Sequence, residues 1–138
     1  DICAEELPSD QVTKELLWYI HKNKTAALIE AALMIGAVLA GAPDEAVKKL
    51  EQAAENIGIA FQIQDDILDV TSSLEVLGKP VGSDEKNHKV TYVRLNGLEQ
   101  SKKDVEALSE EALTILSSFD RRNEFLEDLV RALITREK

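Results

Sequence analysis

The feature that most constrains this chain is an acidic stripe on an otherwise apolar helix. Residues 61 to 69 read FQIQDDILD and carry three aspartates within five positions. At about 100° per residue, the polar positions fall within roughly 60° of one another; they are Gly58, Gln62, Asp65 and Asp69, with Asp66 beside them. Apolar residues fill the rest of the circumference. We therefore expect a helix buried nearly all round, with its stripe facing an internal cavity.

Carboxylates in such surroundings need a cation, because removing several like charges from water costs several kcal/mol per ion. Oxygen ligands favour magnesium, calcium or manganese over zinc. Magnesium keeps water and takes one or two carboxylates, with substrate phosphates completing its coordination. The stripe predicts a Mg²⁺ site, with Mn²⁺ as an alternative ion, at Asp65, Asp66 and Asp69. The competing interpretation is a solvated acidic face.

Length, charge and cysteine content exclude several classes of protein. The 138 residues suit one domain, and the net charge of −10 argues against a nucleic-acid partner. Cys3 is the single cysteine, and no secretory segment opens the sequence, so we expect a reducing, cytoplasmic setting. The longest apolar run, residues 26 to 42, is shorter than the roughly 20 residues of a membrane span. It is expected to form a buried core helix.

Glycine and proline are scarce, with six and three residues, which favours an all-α fold over residues 1 to 138. Apolar periodicity and capping signals predict helices over residues 11–21, 26–40, 43–70, 91–96, 98–118 and from about 125 onward. The sequence between them predicts a polar joint at Lys22–Lys24, a loop over residues 78–90 and a second joint at residues 120–123. A short turn of helix is expected within residues 71–77.

Cationic residues from other parts of the chain complement the stripe. Lys24 and Thr25 are expected at the opening of the apolar helix, where backbone N–H groups favour an anion. Lys79 and Lys89 flank a loop that follows the acidic helix. Together with Gln62 as a neutral donor, these residues suit a diphosphate ligand. Any one of them alone is more often a solvated surface residue.

These residues occur in four motifs, which read Lys24-Thr25, Phe61-Gln62-x-x-Asp65-Asp66-x-x-Asp69, Gly78-Lys79-x-x-Gly82-x-Asp84 and Lys89-x-Thr91. In order and spacing the chain resembles the trans-polyprenyl diphosphate synthases, and in detail the bacterial farnesyl diphosphate synthases (geranyltranstransferases). The resemblance implies the helical bundle of the isoprenoid (terpenoid) synthases. It also implies a prenyltransferase that condenses an allylic diphosphate with isopentenyl diphosphate to make farnesyl diphosphate or a similar short-chain product.

The resemblance also implies a role for each matching residue. Asp65 and Asp69 match the second aspartate-rich motif, which holds a magnesium bridging to the allylic diphosphate, and Asp66 matches as a supporting carboxylate. The diphosphate-binding lysines correspond to Lys24, Lys79 and Lys89. Thr25 and Gln62 match residues beside the reacting carbon. In the family the departing pyrophosphate accepts the final proton, so His21 and His88 are interpreted as ordinary helix-end or loop residues.

Two departures from the family pattern affect these expectations. The family's first aspartate-rich motif and paired arginines have no counterpart here, so we expect the C-terminal half of a synthase, inactive alone. Without its neighbours the apolar helix would expose surface, and association into a homo-oligomer is expected. Val93 stands where short-chain members usually have proline, which places the subfamily, not the family, in question.

Four alternatives remain open at this level. Geranylgeranyl and longer-chain synthases share every motif named above. A non-catalytic prenyltransferase-like subunit that binds or regulates a partner synthase is the main alternative from another class, although it would have no need of Asp65, Asp69, Lys24 and Lys79. A plain helical scaffold and a terpene cyclase are the remaining two.

Overall fold

A computed structural model describes residues 11–77, 90–121 and 123–136, without the side chains of 73–77. The elements of these ranges are α1 (Lys14–His21), a π-helical segment (Lys22–Ala26), α2 (Ala27–Leu39), α3 (Asp44–Leu77), α4 (Tyr92–Asn96), α5 (Leu98–Ser117) and α6 (Glu124–Thr135). The predicted all-α fold is confirmed. Lys79 and Lys89 lie outside the described residues.

Helix α3 is the axis of the bundle. Its 34 residues span about 51 Å at 1.5 Å per residue, and it contacts the π segment and each of the other five helices. Its buried hydrophobic residues are Ala53, Ala54, Ile57, Ile59, Ala60, Ile63 and Ile67. The sequence predicted an end near Val70, but the helix continues to Leu77 because no glycine or proline interrupts residues 71–77.

Two apolar clusters flank α3. The first gathers Ala26, Ile59, Ala60, Ile63, Ile67, Tyr92, Val93 and Val105. The second gathers Ala53, Ile57, Ala112, Leu116 and Val130. Because α3 contributes to both clusters, it fixes α4 and α5 on one side and the end of α5 with α6 on the other.

Within the described ranges, three side chains accept backbone hydrogen bonds at helix starts. Thr13 accepts from Leu16 N–H and opens α1, Thr91 opens α4, and Asn123 opens α6. Side-chain acceptors of this kind satisfy N–H groups that the first helical turn leaves unpaired. The predicted cap at Thr91 is confirmed.

The prediction of a polar joint at Lys22–Lys24 is wrong. The chain stays helical from Lys14 to Leu39, and Lys22–Ala26 forms one wide π-helical turn between α1 and α2. His21, Lys22, Ala26 and Ala27 all have right-handed helical backbone angles. Polar residues alone do not end a helix when neither glycine nor proline is present. Thr25 therefore lies inside a continuous helix, and the expected helix opening at Lys24 and Thr25 does not exist.

Helix α2 is apolar but not buried, contrary to the prediction of a core helix. Ala37 is its single buried residue, while Leu28, Ile35 and Leu39 are 73%, 59% and 82% exposed. These three side chains lie within about 40° of one another around the helix. No described helix has both the length and the apolar character needed to cross a bilayer.

We expect the exposed face of α2 to make the chain associate, since an apolar stripe of this kind is seldom left in water. Light scattering should give a mass above the 15.3 kDa of one chain. Leu28→Lys combined with Leu39→Lys should lower that mass. Phe125→Lys is the matched control, because Phe125 is 77% exposed on α6. A monomer in the unsubstituted chain contradicts this expectation.

Candidate functional site

The stripe on α3 begins against the π segment. Gly58 packs directly on Ala26, which is fully buried, so the turn that carries Lys24 and Thr25 lies on the stripe face of α3. Lys24 is exposed and Thr25 is half-buried. The Lys24-Thr25 motif therefore packs against the face of α3 that carries Gln62. Gln62 is half-buried, one turn after Gly58. Ala26 covers this end of the stripe, but Asp65 and Asp69 further along are not buried, so the described residues do not enclose the predicted internal cavity.

Asp65 forms an ion pair with Arg136, near the end of the chain. The Asp65 side chain is 45% exposed and one of its carboxylate oxygens meets the Arg136 guanidinium. That guanidinium also lies 4.1 Å from the centre of the Phe61 ring, and the amide of Gln64 donates to the Arg136 carbonyl at 3.2 Å. The sequence did not predict that Arg136 would reach the stripe.

Asp66 faces inward. Its Oδ2 accepts a 2.8 Å hydrogen bond from the backbone N–H of Tyr92 and lies 4.0 Å from Nε2 of the buried His21. The adjacent acids Asp65 and Asp66 therefore have different surroundings. His21 was predicted to be an ordinary helix-end residue, and nothing in the sequence indicated that it would be buried beside Asp66.

Tyr92 links the stripe to α5. The residue is fully buried, and its hydroxyl donates to Asp104 Oδ2 at 2.7 Å. Asp104 also accepts from the Gln100 amide at 2.8 Å, and Lys14 Nζ lies 3.8 Å from Asp104. Burial, followed by the hydrogen bond to Asp104 and the charge of that carboxylate, raises the pKa of Tyr92 well above its usual value.

Asp69 completes the stripe and is exposed. Within the described residues no three His, Cys, Asp or Glu side chains gather closely enough to form a complete metal cage. Magnesium does not require one, because it takes one or two carboxylates and fills its shell with water and substrate phosphate. Asp65 and Asp69, one helical turn apart and both reaching solvent, fit that pattern. The three-aspartate site predicted from the sequence stays a prediction.

Comparison with known proteins identifies the family. The profile of the polyprenyl synthetase family matches residues 1–130. Geranylgeranyl pyrophosphate synthase 11, chloroplastic, from Arabidopsis thaliana is 48% identical over 120 residues. That alignment covers 87% of this chain and 34% of the relative, so the chain spans about a third of the length of the plant enzyme.

Solved structures agree with the profile. An FPP/GFPP synthase from Zymomonas mobilis matches 96% of this chain with a TM-score of 0.79 and 27% identity, over 42% of its own length. A geranyltransferase from Helicobacter pylori, complexed with magnesium and isoprenyl diphosphate, matches 97% of the chain with a TM-score of 0.70 and 33% identity, over 43% of its length. The acidic stripe, the π segment packed on it and these matches lead to one conclusion: the chain belongs to the polyprenyl synthetase family.

Proposed function

We propose that this chain supplies the second aspartate-rich half of an allylic diphosphate site in a prenyltransferase. The parent protein would condense an allylic diphosphate with isopentenyl diphosphate. The observation that carries the proposal is the packing of the Lys24-Thr25 turn on the stripe face of α3 through Gly58 and Ala26. Family membership supports it, and so does the similarity to the Helicobacter enzyme, whose structure is a complex with magnesium and isoprenyl diphosphate.

In this proposal Asp65 and Asp69 hold Mg²⁺, with Mn²⁺ as an alternative ion. The cation, when bound, supplies charge that stabilises the departing diphosphate. Lys24 adds a positive charge from the π segment, and Gln62 and Thr25 line the space beside the reacting carbon. Apolar residues of α3 keep water away from the intermediate cation. Lys79 and Lys89 are proposed as further diphosphate ligands from the resemblance alone.

Farnesyl diphosphate is the proposed product, as the sequence motifs favour, and geranylgeranyl diphosphate is the alternative that the names of the plant relatives raise. Product analysis of the full-length parent separates the two. We also propose that the chain alone does not catalyse condensation. Detection of magnesium-dependent prenyl transfer by the purified chain would overturn that part of the proposal.

We likewise propose a cytoplasmic location and homo-oligomeric assembly. The plant relatives carry chloroplastic names, and that location is said of them alone. Fractionation of cells that express the full-length protein, with detection of this segment, tests the location.

The proposed site is tested by titrating methylene diphosphonate, a non-hydrolysable diphosphate, with and without Mg²⁺. Calorimetry should show binding that depends on the metal, and Asp65→Ala should weaken it by at least the roughly 10–100-fold typical of altered metal shells. Asp120→Ala is the control, since Asp120 is exposed in the turn between α5 and α6.

The titration is made with the chain alone and with the N-terminal half of a related synthase supplied. Binding that is equally strong in the original chain and in Asp65→Ala contradicts the proposal. So does the absence of binding in both when the missing half is present. The second outcome would favour the plain helical scaffold.

A further inference from the structure

We propose that Asp66 is a positioning residue that fixes α4 against α3, not a ligand of the metal. The inference rests on the proposed diphosphate site and refines the role of one of its three aspartates. Its starting point is the difference in surroundings among the acids. Asp65 and Asp69 reach solvent, whereas Asp66 Oδ2 accepts the backbone N–H of Tyr92 at 2.8 Å.

Helix α4 needs such an anchor because it is short. Its five residues are far fewer than the roughly 12–15 at which an isolated helix becomes even marginally stable. Three hydrogen bonds supplement the packing of Tyr92 and Val93 in the first apolar cluster. Thr91 accepts from Arg94 N–H at 3.2 Å, the Tyr92 hydroxyl donates to Asp104 on α5, and the Tyr92 N–H donates to Asp66 on α3. The contact through Asp66 is the one that ties α4 to the stripe.

The anchored residue, Tyr92, directly follows the Lys89-x-Thr91 motif in the sequence. Val90 is buried with Val12 and Leu17, and Thr91 and Tyr92 follow it directly. Consecutive Cα atoms are about 3.8 Å apart, so an anchor at Tyr92 limits how far Val90 and Thr91, the described residues before it, can lie from α3. Lys89, to which the resemblance assigns diphosphate binding, is three residues earlier. Loss of the anchor should therefore weaken diphosphate binding without removing a ligand.

Asp66→Ala, which removes the carboxylate, and Asp66→Asn, which removes only its charge, should differ in how well the Tyr92 amide is protected. Asp66→Ala removes the acceptor, so amide hydrogen exchange at Tyr92, measured without metal or diphosphate, should accelerate at least tenfold. Asp66→Asn keeps an oxygen at the same position and should restore most of the protection. Circular dichroism checks that each variant is folded.

The same variants are titrated with methylene diphosphonate and Mg²⁺, in the presence of the N-terminal half of a related synthase. We expect Asp66→Ala to lower the affinity about tenfold, Asp66→Asn to stay within about threefold of the original chain, and Asp65→Asn to lower the dependence on magnesium. The Asn variant is the critical comparison, because an amide preserves the hydrogen bond to Tyr92 but is a poor substitute for a magnesium carboxylate.

Two results overturn the inference while leaving the proposed function intact. If Asp66→Asn loses as much magnesium dependence as Asp65→Asn, Asp66 is a ligand. If Asp66→Ala exposes the Tyr92 amide but leaves the affinity unchanged, the contact is structural alone. An original chain that binds no diphosphate even with the missing half supplied overturns the proposed function itself, and the positioning role with it.

Discussion

Gly58→Ala should lower the free energy of unfolding by about 3 kcal/mol, the upper end of the range for overpacking. A Cβ at this position would stand 2.5 Å from the Cβ of Ala26 and closer still to its Cα, whereas carbon atoms prefer about 3.5–4.0 Å. The obstructing atoms belong to the π segment and to a methyl group with no rotamer, so no side chain can turn away. Relief requires α3 and the π segment to separate, which opens the first apolar cluster.

Gly36→Ala is the matched control for this prediction. Gly36 also lies within a helix, in the last turn of α2, but a Cβ there meets nothing within 4 Å. Alanine should then stabilise the chain by about 0.5–1 kcal/mol through helix propensity alone. Urea unfolding of the two variants should shift in opposite directions. A Gly58→Ala variant as stable as the original chain would show that the close approach to Ala26 is not required.

The second large effect is a loss of stability at high pH that depends on Tyr92. Its pKa in the folded chain is raised by burial and by Asp104, while the unfolded residue titrates near pH 10. Below that pH both states keep the proton and the contribution is complete. Above it the unfolded state loses the proton and the folded state does not. The free energy of unfolding should therefore fall by about 1.4 kcal/mol per pH unit.

Tyr92→Phe removes this dependence and one hydrogen bond. At neutral pH the variant should be less stable by about 1 kcal/mol, although Asp104 keeps its contacts with Gln100 and Lys14. The two stability curves should cross close to pH 11, beyond which the variant is the more stable protein, as the two slopes imply. Tyr19→Phe is the control, because Tyr19 is 65% exposed. Parallel curves for Tyr92→Phe and the original chain would contradict the prediction.

The sequence predicted those parts of the fold that depend on local pattern. Apolar periodicity located the helices, Thr91 located the start of α4, and the polar positions from Gly58 to Asp69 located one face of α3. Motif spacing also identified the family. These predictions succeed because periodicity and capping are properties of neighbouring residues, which a single sequence contains in full.

The remaining features depend on contacts between distant residues. Asp66 is 26 positions from Tyr92, and Asp65 is 71 positions from Arg136. No helical or strand period relates such pairs, so the sequence could not distinguish the inward carboxylate from its neighbours. The prediction of a joint at Lys22–Lys24 failed for a different reason. Their composition is typical of a loop, but their buried neighbours His21 and Ala26 keep the backbone helical.

The π-helical turn also sets the angle, around the helix axis, between the residues before it and those after it. On an uninterrupted α-helix, His21 and Ala26 would lie about 140° apart, so they could not both face α3. One residue accommodated in a wide turn absorbs about 100° of rotation and reduces that angle to about 40°. Deleting Asn23 would leave His21 and Ala26 four positions apart, about 40° from one another on an ordinary α-helix, so both should still face α3. The wide turn therefore lets the chain hold one extra residue while His21 and Ala26 keep a common face.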